Sequence, residues 1–178
     1  MHKSIFLDRD GTIIVDKIYL NDPDQIVYLP ECFEGLRLMR DMGYKIFVVT
    51  NQSGMPRGKV LIQNLDEIHR RIAFECAKHG VAIDKFYYAP FMTDSNHFSR
   101  KPNVGMLMYA HWDFGVDFKN SWMIGDRMTD VEAGHRVGAR SILLDGAEKP
   151  QDFEYAHPEY IAQNLLDAAR FIEQNQKP

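Results

Sequence analysis

Short apolar runs alternate along the chain with longer stretches in which apolar side chains recur every three or four positions. Ser4 to Leu7, Lys45 to Thr50, Lys85 to Ala89, Ser121 to Ile124 and Ser141 to Leu144 are of the first kind. They are nearly continuous rather than alternating, which predicts strands buried on both faces. The second kind reads as helix. Glu31 to Met42 sets Phe33, Leu36 and Met39 on one face and stops at Gly43; Val60 to His79 aligns Leu61, Leu65, Ile68, Ile72 and Cys76 and stops at Gly80. Asn103 to Trp112, Thr129 to Val137 and Leu165 to Gln174 complete the set. Strand and helix in turn predict an α/β protein: a three-layer, Rossmann-like open parallel sheet with helices on both faces. Residues 1–178 carry no repeat, low-complexity tract or linker, so a single domain is expected.

Polar residues follow the predicted strands. Asp8 and Asp10 come after the first, Thr50 and Asn51 end the second, Asp126 follows Ser121–Gly125, and Asp145-Gly146 follows the last. In an open α/β sheet, ligands bind beyond the carboxyl ends of the strands, so these residues are expected to meet at one edge. In extended backbone, residues two apart face the same way, which aims Asp8 and Asp10 at one pocket and Arg9 elsewhere. Two carboxylates so close repel unless a cation joins them, and Mg²⁺ prefers such hard oxygen ligands. Asp126 supplies a further ligand, and Asp130, one helical turn on, supports it. The Thr50 hydroxyl and the amides of Asn51, Gln52 and Ser53 suit phosphate oxygens, as does the compact cation of Lys101. Taken singly, each of these is an ordinary loop charge or helix cap. Together they are what phosphoryl transfer needs, which is positioning and charge neutralisation.

Composition narrows the partners. Twenty-one basic and 25 acidic residues leave a net charge of -4, which argues against nucleic acid as a partner. No apolar run approaches the roughly 20 residues of a membrane span, and the N-terminus is not built as a signal peptide, so a soluble cytoplasmic protein is expected. Two cysteines, Cys32 and Cys76, read as core thiols. Nothing in the sequence selects an oligomeric state.

The segments Asp8-Arg9-Asp10-Gly11-Thr12, Thr50-Asn51-Gln52-Ser53-Gly54, Arg100-Lys101-Pro102 and Gly125-Asp126-Arg127 through Asp130 resemble the four motifs of the haloacid dehalogenase (HAD) superfamily, in order and spacing. FLDRDGTI, VVTNQSG, RKP and GDR are most similar to the branch that holds D-glycero-D-manno-heptose-1,7-bisphosphate phosphatases and histidinol-phosphatases. The resemblance implies a HAD-like phosphatase in which Asp8 is the nucleophile and Asp10 the general acid and base. It assigns Thr50, Asn51 and Lys101 to the phosphoryl group. Mg²⁺ falls to Asp8, the Asp10 carbonyl and Asp126, with Asp130 and Arg127 in support. Gln52, Ser53, Arg57 and Arg100 are left for the rest of a small phosphorylated substrate.

One departure stands out. The branch usually carries a structural zinc held by three Cys and one His just before the Arg-Lys-Pro motif. Here Tyr88 to Arg100 has no cysteine and one histidine, His97, so no zinc is expected. The intervals between motifs are too short for a large cap domain. An open pocket is therefore expected, bounded by Ile13–Asp24, Gln52–Lys59 and Pro90–Arg100. Arg57 and Arg100 favour a sugar bisphosphate such as D-glycero-D-manno-heptose 1,7-bisphosphate. The acids Asp16, Asp22, Asp24 and Asp94 keep histidinol phosphate as an alternative. A phospho-aspartate signalling module is a third reading, although it has no need of Asp10.

Overall fold

A computed structural model describes residues 1–145 and 157–176. The strands are β1 (Ser4–Leu7), β2 (Lys45–Asn51), β3 (Lys85–Ala89), β4 (Trp122–Gly125), β5 (Arg140–Leu144) and β6 (Tyr160–Ala162). They form one sheet in the order β3-β2-β1-β4-β5-β6. Every neighbouring pair is parallel. The helices are α1 (Cys32–Asp41), α2 (Ile62–Lys78), α3 (Gly105–Phe114), α4 (Met128–Arg136) and α5 (Leu165–Gln174).

The alternation of the strands divides the core. Ile5 and Leu7 of β1, with Ile46 and Val48 of β2, face the stripes of α1, α2 and α5. Phe6, Phe47 and Val49 turn to the other side and meet Met106, Leu107 and Ala110 of α3. The helix α4 adds Val131 against Leu143 on β5. With both faces covered, the strands need no polar side, which explains their continuous apolar sequences. Cys32 and Cys76 are free thiols buried in the first of these cores, and burial pushes both up to about 12.

The expected three-layer architecture is present, and no large cap lies over the sheet among the described residues. Most element boundaries differ from the sequence reading by one or two residues, and at two of them the contacts show why. Val60 lies before α2 because its amide turns back to the Gly54 carbonyl, 3.2 Å away. Asn103 lies before α3, where its side chain donates to the backbone of Asn96 and His97. The edge strand β6 has no counterpart in the sequence reading. Gly146, expected to end β5, lies outside the described residues.

Candidate active site

In the order 3-2-1-4-5-6, the connections leave β1 toward opposite edges on its two sides. A crevice opens beyond the carboxyl ends of β1 and β4. A cavity of about 390 Å³ sits there, lined by Asp8, Asp10, Thr50, Asn51, Ser53, Lys101 and Asp130, with Asp16, Ile18, Thr93, Arg100 and Arg127 toward its rim. The three loops expected to bound the pocket each contribute: Asp16 and Ile18 from the first, Ser53 from the second, Thr93 and Arg100 from the third.

Asp8 leaves β1 with its amide on the Ile124 carbonyl of β4, at 3.0 Å. Lys101 lies buried beside it. The Lys101 Nζ is 2.9 Å from Asp8 Oδ1, 2.7 Å from the Val49 carbonyl and 2.6 Å from Asp130 Oδ1. Burial would discharge this lysine, but Asp130 and Asp8 outweigh it and hold its pKa above the ordinary value. The loop that carries Lys101 is fixed by Asn51, whose amide nitrogen donates to the Lys101 carbonyl while its oxygen accepts from the Lys101 N–H, both at 3.0 Å.

Two glycines allow the acids to crowd together. A Cβ on Gly11 would overlap the Asp126 carboxylate, and one on Gly125 would overlap that of Asp130. Gly11 also needs a backbone φ of +74°, which disfavours any other residue. The result is a cluster of Asp8, Asp126 and Asp130 with one carboxylate oxygen of each within 4.8 Å of the others. Asp126 Oδ1 is buried without a hydrogen-bond partner. Burial, then the charges of Asp8 and Asp130, push Asp126 up to about 7. A buried oxygen without a donor, in a nest of carboxylates, fits a divalent cation with a preference for oxygen. Asp130 Oδ2 accepts from the Arg127 N–H at 3.1 Å and Oδ1 forms an ion pair with Lys101 Nζ, so Asp130 braces the cluster.

Asp10 is directed differently. Its carboxylate is gripped by the Arg9 guanidinium, with Nη2 at 3.0 and 2.8 Å and Nε at 3.3 and 3.2 Å from the two oxygens. Gln52 Nε2 adds a bond to Asp10 Oδ2 at 3.2 Å and one to Thr50 Oγ1 at 2.9 Å. The Thr50 oxygen thus accepts from Gln52, which leaves its own proton to donate into the cavity. Burial raises the Asp10 pKa, Arg9 opposes it and Asp8 adds to it.

Several sequence expectations are revised by these contacts. Gln52 does not line the cavity; it is buried, with its amide directed at Asp10 and Thr50. Asn51 reaches the cavity wall, but its amide is occupied by the Lys101 backbone rather than free for phosphate. Arg57 is exposed and outside the lining, although it and Arg127 both act electrostatically on Arg100. Arg9 does not point away from the chemistry. Its buried guanidinium lies on the Asp10 carboxylate. His69 was missed altogether. It lies on the buried face of α2 and is 3.3 Å from Arg9 Nη1. A lone polar residue in an otherwise apolar helical stripe was its only trace in the sequence.

The chain is 31% identical to a D-glycero-beta-D-manno-heptose-1,7-bisphosphate 7-phosphatase of Pasteurella multocida, across 97% of this chain and 98% of that protein. It is 35% identical to a D-glycero-alpha-D-manno-heptose-1,7-bisphosphate 7-phosphatase of Campylobacter jejuni, over 84% of this chain and 86% of the relative. The HAD-hydrolase-like family model matches residues 98–168. The chain belongs to the haloacid dehalogenase superfamily, and it is a phosphatase. Within that class, two solved structures share the fold. One, a D,D-heptose 1,7-bisphosphate phosphatase from B. bronchiseptica complexed with magnesium and phosphate, superposes with a TM-score of 0.86 at 23% identity, covering 98% of this chain and 99% of that one. The other, a putative HAD-like phosphatase from Mesorhizobium loti, gives 0.84 at 30% identity, covering 99% and 88%.

Proposed function

We propose that residues 1–178 form one phosphatase domain that removes a phosphoryl group from a sugar bisphosphate such as D-glycero-D-manno-heptose 1,7-bisphosphate. The observation that carries this reading is the division of one cavity into two zones. Its buried lining residues Asp8, Thr50 and Lys101 form the floor, while half-buried Arg100 and exposed Arg127 form the rim. The floor suits the phosphoryl group that is transferred. The rim suits a second anion on the same small molecule.

In this reading an Asp8 oxygen attacks phosphorus, and the bond from phosphorus to the sugar oxygen breaks. Asp10 gives its proton to that oxygen. Thr50 and Lys101 hold the phosphoryl oxygens, where Lys101 also offsets charge on Asp8. Asp10, now a carboxylate, takes a proton from water as the water attacks the aspartyl-phosphate, releasing phosphate and restoring Asp8. Mg²⁺, held by Asp8, the Asp10 carbonyl and Asp126, would supply further charge neutralisation.

The rim argues against histidinol phosphate. Of the four acids that kept it open, Asp16 alone lines the cavity, and it accepts from Arg127 at 3.1 Å. The cationic part of that substrate would meet Arg100 and Arg127. The test is phosphate release across phosphosugars, sugar bisphosphates and histidinol phosphate, with and without Mg²⁺. Highest kcat/KM is expected for a sugar bisphosphate, with loss of activity in Asp8→Asn. Preference for histidinol phosphate would overturn the substrate assignment, and full activity in Asp8→Asn would overturn the nucleophile.

A further inference from the structure

We propose that His69 is a positioning residue for the acid–base step, acting through Arg9 to hold Asp10 in place. The inference rests on the reading of Asp10 as the group that protonates the leaving oxygen.

Arg9 is 1% exposed, so each of its N–H groups needs a protein partner. Nε and Nη2 face Asp10, and Nη1 is left over. His69 meets it at 3.3 Å, reaching across from α2. The imidazole is 7% exposed and lies flat on Phe86 of β3, with ring centres 4.6 Å apart and planes 19° apart. It is thus clamped between a strand side chain and a guanidinium. With Arg9 as obligate donor, Nε2 must be the acceptor and the ring proton must sit on Nδ1.

The chemical type of this partner matters. An apolar side chain would leave Nη1 buried and unpaired. A carboxylate would draw the guanidinium off Asp10 and cancel its charge. A neutral acceptor takes an N–H of Nη1 and leaves the positive charge directed at Asp10. That direction counts at one moment of the reaction. When the phosphorus–oxygen bond breaks, the electron pair goes to the sugar oxygen, which takes the proton of Asp10. The carboxylate formed is received by two N–H groups of Arg9. A guanidinium released from His69 can rotate away from this fork, and the acid is then less well placed and its conjugate base less well held.

This sets a signature that a merely structural residue would not produce. A sugar phosphate must have its leaving oxygen protonated, whereas 4-nitrophenolate leaves without a proton. In His69→Phe, kcat/KM on the sugar phosphate, which reads only the steps up to release of the leaving oxygen, should fall about tenfold or more, the usual scale for losing a hydrogen bond to a charged group. On 4-nitrophenyl phosphate kcat/KM should stay within about twofold, because Asp10 serves that substrate only as the base of the water step, which comes after 4-nitrophenolate has left. His69→Gln, whose amide oxygen accepts from Arg9, should recover most of the loss. Equal losses on the two substrates, no loss on either, or a glutamine variant no better than phenylalanine would overturn the proposal. Nitrogen-15 NMR of the wild-type protein tests it without any variant, and a protonated Nε2 on His69 would also overturn it. Asp10→Ala should show the same dependence of kcat/KM on leaving group, with kcat lowered on both substrates through the water step. If it does not, the proposal falls with the role of Asp10, while wild-type turnover and its loss in Asp8→Asn still stand for the phosphatase itself.

Discussion

Acidification should destabilise this protein through His69, by an amount the structure lets one work out. Burial, with the Arg9 charge added, lowers the His69 pKa from 6.5 to about 3. The unfolded chain therefore binds a proton near pH 6.5 that the folded chain refuses until near pH 3. Stability is full above pH 6.5 and falls as the pH drops toward 3, with a slope of about 1.4 kcal/mol per pH unit once the unfolded imidazole is charged. Between pH 7.5 and pH 5 the loss from this group alone is about 2 kcal/mol. Carboxylates titrate over part of the same range, so the measurement is a difference. Urea unfolding is followed at several pH values for the wild type and for His69→Gln, which keeps an acceptor for Arg9 but does not ionise. The wild type should lose about 2 kcal/mol more than the variant over that interval, as a shift in midpoint at constant m-value. Parallel pH profiles for the two proteins would refute the buried neutral imidazole, and with it the argument that Arg9 keeps this ring uncharged.

Three further outcomes follow from the site. Mg²⁺ at about 100 times its Kd should stabilise the fold by about 2.7 kcal/mol and raise Tm by roughly 5–10 °C, and calorimetry should find that Asp126→Asn loses most of this shift. Gly11→Ala places a methyl group against the Asp126 carboxylate at a positive φ, so metal-dependent phosphate release should fall by at least about tenfold while the circular dichroism stays native. Arg100→Ala should raise KM for a bisphosphate by about tenfold and leave a monophosphate nearly unaffected; equal effects on both would remove Arg100 from the seat of the second anion.

The sheet was largely legible in the sequence because its strands are apolar on both faces and its helices carry a one-sided stripe. The edge strand β6 has neither mark. It is three residues long, with Ile161 exposed and Ala162 buried, and its position depends on pairing with β5 rather than on local pattern. The acids of the site were legible for a similar reason. A short side chain such as Asp8 or Asp126 stays where its backbone puts it, so strand ends locate it well. Arg9 is different. Alternation predicts where its Cβ points, but the guanidinium lies several rotatable bonds further on and goes where a carboxylate and an acceptor await it. Gln52 and Asn51 deviate on the same grounds, since an amide near several polar atoms is committed by the tertiary contacts it finds.

The place of β1 at the centre of the sheet has a consequence for how the chain is made. Its first neighbour, β2, is complete at Asn51, but its second, β4, ends only at Gly125. At a synthesis rate of about 5–20 residues per second, roughly 4–15 s separate the two. Throughout that interval the strand that leads into Asp8 has one ladder of backbone donors and acceptors unpaired, beside the apolar side chains of Ile5, Phe6 and Leu7. The growing chain thus presents, in its most buried strand, an edge on which another unfinished copy can add. A chain terminated between β3 and β4 would keep that edge permanently and should gather into aggregates, whereas one carried through β4 closes it.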